Sequence, residues 1–195
     1  MSADLARFAH VICAANESDI RSDSTLGGKL IIEHAGNLEV SYAPFEHIQR
    51  GARIVIVGIT PGKLQATNAL CEVRRHLLAG ADQTSALAAA KVYASFSGGM
   101  RANLVQMLDY IGVARWLGIP STDTLWTTHN GLAHFTSALR YPVFFNGKNF
   151  NGQLDMTKSP PLSSLLDQCL GEEAAALPDA IWVPAGSKAG IACNT

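Results

Sequence analysis

Cysteine is scarce and scattered: Cys13, Cys71, Cys169 and Cys193 form no CxxC pair. That spacing gives no support to a zinc ribbon or an iron–sulfur cluster. With no secretory signal at the N-terminus, the cysteines are expected to be reduced thiols of a cytoplasmic protein. Long apolar runs are missing too. None approaches the ~20 residues of a membrane span, so no membrane partner is expected. Neither charge dominates: 15 Lys and Arg stand against 16 Asp and Glu, a net charge of -1. No global basic field therefore advertises a polyanion partner, although a few basic residues beside one cleft would still serve. A GxGxxG fingerprint and a Walker A loop are both absent, which removes the two commonest nucleotide-phosphate cradles. No metal site and no cofactor are expected.

What is present describes one globular domain of α/β class over residues 1–195, 48% hydrophobic and 16% charged. Leu5, Phe8, Ala9 and Ile12 fall on one helical face within 3–16. Two short strands, 29–34 and 38–42, flank Ala35-Gly36-Asn37 as a hairpin. The unbroken Ile-Val-Ile-Val run within 53–58 is the pattern of a parallel strand covered on both faces. A tight Gly/Pro turn ends it, and 63–78 is predicted helical. Further helices are expected at 84–93, 102–117 and 162–170, a second buried strand at 124–128, a loop-rich region at 133–161, and a third strand at 180–183. Strands alternating with helices predict a three-layer αβα arrangement on a short central parallel sheet, with 53–58 at its centre. Three strands make a small sheet, and the expectation is that a further helix, strand and motif follow in the natural protein or its relatives.

The turn Gly58-Ile59-Thr60-Pro61-Gly62 after the hydrophobic strand resembles the first motif of the uracil-DNA glycosylase superfamily, Gly-x-Asp/Asn/Ala-Pro-Gly/Tyr. It differs at one residue from the Gly-Ile-Asn-Pro-Gly of the mismatch-specific branch. Phe96-Ser-Gly-Gly99 is similar to the segment whose Phe stacks on the flipped uracil in the thermostable branch. Leu125-Trp-Thr-Thr-His-Asn130 is similar to the strand that ends in the uracil-reading Asn. The resemblance spans about residues 50–190 and implies a uracil-DNA-glycosylase-like fold. It also implies hydrolysis of the N-glycosidic bond of an extruded uracil-like base, with uracil-containing or mismatched DNA as partner. Gly58, Ile59, Pro61, Gly62, Phe96 and Asn130 would form the base pocket, and Thr60 and Asn130 would take the catalytic positions.

The chemistry agrees with those residue types. An extruded base needs an aromatic face, which Phe96 offers. Its edge needs a group that donates and accepts together, as the Asn130 amide does. Glycines at 58 and 62 let backbone approach the ligand closely. Each has a bland alternative: Phe96 as core, Asn130 as a turn residue, Thr60 as a turn stabiliser, and His129 and His134 as structural or surface histidines rather than acid–base groups.

The sequence also departs from the pattern. Thr60 stands where the more active branches have Asp or Asn, and a hydroxyl is no general base near neutral pH. The superfamily's His-Pro-Ser-like motif has no counterpart in these 195 residues. Slow or lost hydrolysis is therefore expected. A non-catalytic nucleobase, nucleotide or nucleic-acid binding module on the same fold is the alternative. An unrelated small enzyme holding a phosphate on the helix N-terminus after Pro61 is a third reading.

Overall fold

Branched and apolar residues nucleate most elements where their spacing places them. The computed structural model describes residues 3–194. Helix α1 (Ala3–Ala14) buries Leu5, Phe8 and Ile12, one stripe of an amphipathic helix. A short α2 (Glu17–Ser22) precedes the hairpin of β1 (Ile31–Ala35) and β2 (Leu38–Ser41), which turns at Gly36 with φ 59°. Then come β3 (Ile54–Gly58), α3 (Lys63–Leu78) and α4 (Gln83–Ala94). The single helix expected over 102–117 is two, α5 (Gly99–Tyr110) and α6 (Val113–Leu117), because Gly112 adopts φ 87° between them. The chain continues through β4 (Ala133–Ser137), β5 (Val143–Phe145), β6 (Lys148–Asn149), α7 (Leu162–Ala176), β7 (Ile181–Pro184) and α8 (Ser187–Cys193).

Strand β3 is the middle of a parallel sheet of order β4-β3-β7. Ile54 lies opposite Ala133 and Ile181, and Gly58 lies opposite Ser137. The side chains of β3 alternate between two cores. Val55 and Val57 pack with residues of α1, α3, α4 and α7, whereas Ile54 and Ile56 pack with Leu104 and Leu108 of α5, Leu117 of α6, and Trp126. Helices on both faces make the layering αβα and explain why all four side chains can be apolar. Each such buried side chain contributes about 1.5–3 kcal/mol. The hairpin joins β5 and β6 in a separate antiparallel sheet of order β1-β2-β5-β6. Among the described residues no helix is long and apolar enough to cross a membrane.

One strand assignment is corrected. The segment expected as a strand over 124–128 is a 3-10 helix, Thr122–Trp126, and the sheet takes β4 instead, from the region read as loop. Polar capping decides the matter. Asp109 accepts hydrogen bonds from the Ser121 hydroxyl (2.7 Å) and the Thr122 amide (2.7 Å), and the Ser121 side chain accepts from the Asp123 amide (3.2 Å). These bonds curl a segment whose Thr and Trp content alone favours a strand. The true strand was disguised by two buried polar residues, His134 and Thr136.

Candidate functional site

In a parallel sheet all carboxyl ends lie at one edge, here Gly58, Ser137 and Pro184. The sheet ladder runs past β3: Ala138 donates to the Gly58 carbonyl and Leu139 to that of Ile59, each at 2.9 Å. Thr60 turns its hydroxyl away from the crevice. It donates to the Tyr141 carbonyl (2.9 Å) and accepts from the Val143 amide (3.1 Å), tying the turn to the β4–β5 connection. Its one proton is thereby committed to the backbone. Pro61 is buried. Gly62 caps α3, and a Cβ there would stand 3.2 Å from Asn149 Nδ2. Asn149 in turn accepts from the Lys63 amide at 3.0 Å, so a side chain of β6 already occupies the first amide of α3, where the phosphate reading placed an anion.

Phe96 meets this turn from the α4–α5 loop. Its ring lies 3.6 Å from where a Gly58 Cβ would be, and its backbone is left-handed at φ 53°. That conformation is uncommon for a bulky residue and costs on the order of 1–2 kcal/mol. The surroundings over-determine it. The Ser95 carbonyl accepts from the Trp126 indole and from Arg101 Nη2, both at 2.9 Å, and Asn68 Nδ2 donates to Ser97 Oγ at 3.1 Å. Phe96 meets Phe135 edge-on (6.1 Å, 66°), and Trp126 stacks on the same ring at 4.3 Å. Pro61, Gln65, Phe96, Thr136, Ser137 and Arg140 surround a crevice of about 10 Å³, enough for a single water. Thr136 Oγ1 is buried there with no hydrogen bond among the described residues.

Behind the crevice sits a buried charge network. Arg140 donates from Nε to Glu173 Oε1 (3.2 Å) and from Nη2 to the Cys169 carbonyl (3.1 Å) and Glu172 Oε2 (2.8 Å). Lys91 Nζ donates to the His47 carbonyl at 2.6 Å and stands 3.6 Å from Glu173 Oε1. His134 Nδ1 accepts from the Gln49 amide (3.3 Å), which assigns the ring proton of the neutral imidazole to Nε2. Nε2 faces Glu173 Oε2 at 3.4 Å without the alignment of a hydrogen bond. Burial, and then the Lys91 charge, push the His134 pKa down to about 4. Burial lowers Lys91 to about 8 against the pull of Glu173. Burial would raise the Glu173 carboxyl, but Lys91, His134 and Arg140 outweigh it and hold the pKa down to about 2.

Of the residues singled out from the sequence, Gly58, Ile59, Pro61, Gly62 and Phe96 come together at the carboxyl edge. Thr60 shares their turn but serves as a clamp. Asn130 lies elsewhere: it starts a 3-10 turn (Asn130–Leu132) just before β4, which places it at the amino edge of the sheet. The three-way convergence of Thr60, Phe96 and Asn130 is thus corrected, and the cause is the misplaced strand. At the amino edge Asn130 lines a cavity of about 350 Å³ with His47, Gln49, Lys91, Trp126 and His134. His134 is indeed structural in its surroundings, 1% exposed. Sequence reasoning missed Ser137, the β4 residue beside Gly58, together with Arg140, Lys91 and Glu173. The one available signal for Ser137 was the strand itself, since whichever residue ends the neighbour of β3 must face the turn. No group of three or more His, Cys, Asp or Glu able to hold a metal ion occurs among the described residues.

No family model matches the chain, and no solved structure matches it. The uncharacterized protein YoxB of Bacillus subtilis (strain 168) is 34% identical to it over 197 residues, covering 98% of this chain and 75% of that protein. At that identity and over nearly its whole length, the chain belongs to the YoxB family.

Proposed function

We propose that this chain recognises an extruded uracil-like base at the carboxyl edge of its parallel sheet, in the manner of a uracil-DNA glycosylase, and cleaves the N-glycosidic bond slowly. The observation that carries the reading is the Phe96 ring, held in a left-handed backbone against the Gly58–Gly62 turn. Strain of this kind collects at ligand sites, where the surroundings maintain it. In open α/β sheets the carboxyl edge is also where ligands bind. The crevice has room for about one water, so admitting a base requires Phe96 to swing out. The exposed Gly98, at φ 87°, and its neighbour Gly99 supply the hinge. Ser137 takes the base-reading place given earlier to Asn130, and its rotatable hydroxyl both donates and accepts. Arg140 lines the crevice with it.

Non-catalytic recognition at the same site is the second reading, and a specific observation favours it. The Thr60 hydroxyl is engaged by backbone, and no carboxylate lines the crevice to activate water. Oligonucleotides carrying one deoxyuridine or one deoxycytidine separate these readings. Anisotropy should favour the deoxyuridine strand, Phe96→Ala should remove the preference, and uracil release should be slow. Preference without release selects the second reading. Equal binding of both strands, unchanged by Phe96→Ala, sinks both.

A further inference from the structure

The geometry points to a second ligand site in the amino-edge cavity, one that takes a free planar lactam heterocycle, a nucleobase or nucleoside, with its amide-like edge read by Asn130. It stands apart from the carboxyl-edge crevice, which meets it only through the Phe135 ring. The cavity is already open to about 350 Å³, inside the range of small-molecule sites at about 300–1,000 Å³, whereas the crevice is closed. Its shape follows from α4, whose Ala88 and Ala89 present almost no side chain. Ala133 and the Trp126 and Phe135 rings complete apolar walls suited to a flat ligand.

The polar groups narrow the class. Asn130 is exposed at the mouth, and its side-chain amide makes no hydrogen bond among the described residues. A primary amide pairs best with a group that offers N–H and C=O side by side, the edge of a lactam ring: Oδ1 accepts and Nδ2 donates. Charge selects a neutral ligand. No carboxylate lines the cavity, which disfavours metal ions and amines. The one cation in its wall, Lys91, is turned to the His47 carbonyl and to Glu173, so no free positive charge awaits an anion. Tyr93, 53% exposed, also lines the cavity and adds an aromatic surface to it.

Uracil, hypoxanthine and 1,3-dimethyluracil, titrated into ¹⁵N-labelled full-length protein, test the assignment. Uracil and hypoxanthine should shift the Asn130 side-chain amide and the Trp126 indole N–H at millimolar concentration or below. 1,3-Dimethyluracil has the same ring without its N–H, and should bind at least about tenfold more weakly, the scale of one lost hydrogen-bonded edge. Asn130→Ala, at an exposed position the fold tolerates, should weaken uracil by a similar factor. Ala88→Leu, which narrows the cavity from the α4 wall and leaves the Asn130 amide in place, should abolish the shifts. Phe96→Ala should leave them intact. Absence of shifts at Asn130 and Trp126, equal binding of dimethyluracil, or loss of binding in Phe96→Ala would each overturn the site. The last outcome would move the base to the carboxyl-edge crevice. Equal binding of the deoxyuridine and deoxycytidine strands by the unaltered protein, with these shifts present, would instead remove the carboxyl-edge reading alone.

Discussion

The two edges of the parallel sheet are finished by different means. At the carboxyl edge the backbone does the shaping: a Gly/Pro turn, a left-handed Phe96, and the Thr60 hydroxyl bridging two strands' connections. The result is closed. At the amino edge side chains do it. Small residues on α4 leave space, and Lys91 and His134 in its wall belong to a buried network that runs through Glu173 to Arg140 at the other edge and braces β4 against α4 and α7. The result is open. A strained, closed crevice stores the means to move, while a braced, open cavity is ready for a ligand without movement.

The sharpest way to break that contrast is to remove the brace. Glu173 is the buried carboxylate that Lys91, His134 and Arg140 share. Glu173→Gln leaves two desolvated cations short of their common partner, and should cost about 3–5 kcal/mol in urea denaturation. A cost under 1 kcal/mol would mean that Glu172 or inward-moving water replaces it, and that the network is no brace for the open cavity.

Acidification probes the same brace more gently. His134 takes up its proton near pH 4 in the fold but near its ordinary 6.5 when unfolded. The unfolded chain therefore binds more protons between these values, and stability should fall as pH drops from about 6.5 to 4, by on the order of 2–3 kcal/mol. Glu173, lowered to about 2, adds a further loss as pH falls below its ordinary 4.5. Lys91 acts at the other end. Its folded pKa of about 8 lies below the ordinary 10.5, so stability should rise as pH climbs through that window. Chemical denaturation of the wild type and of His134→Gln across pH 4–7 checks the first of these. A slope unchanged in His134→Gln would place the titration elsewhere.

At the carboxyl edge, Thr60→Val should cost about 1–2 kcal/mol, since the Val143 amide loses its acceptor and the Tyr141 carbonyl its donor. Thr60→Ser, which keeps the hydroxyl, should recover most of that. If Thr60→Val leaves stability alone but removes uracil release, Thr60 is a catalytic group after all and not a clamp.

Most of what was legible in the sequence lies at this edge. The Ile-Val-Ile-Val run needed cover on both faces and has it, in a parallel sheet with β3 in the middle and a partner at 181–184. The turn at 58–62 and Phe96 are local signals, and they meet. The buried charge network was illegible for a physical reason: its members are brought together only by tertiary packing, from residues 91, 134, 140 and 173 on four different elements or connections. The misplaced strand has the same origin. Propensity favoured Thr124–Thr128, but Asp109, more than ten residues away, caps that segment into a 3-10 turn, and the sheet recruits Ala133–Ser137 with two polar residues pointing inward. Asn130 moved from one edge to the other with that error.

The smallest effect tests whether the left-handed backbone at Phe96 is a cost held in place by its neighbours. Both Phe96→Ala and Phe96→Gly remove the ring that packs against Phe135 and the Gly58 turn, so both lose the same contacts, about 3–5 kcal/mol for a buried Phe. They differ in the backbone. Alanine still resists φ 53°, whereas glycine adopts it freely. If the loop stays as it is, Phe96→Gly should therefore be the more stable of the two by about 1 kcal/mol, the left-handed penalty of one residue less the extra chain entropy glycine brings to the unfolded state. If instead the loop relaxes once the ring is gone, the ordinary order returns and Phe96→Ala is the more stable. The sign of that difference, read from paired urea titrations, reports whether Ser95 and Arg101 alone keep the loop in its strained form. An inverted order, with glycine ahead, leaves the loop fixed by its hydrogen bonds to Trp126 and Arg101 and makes opening for a base depend on breaking them.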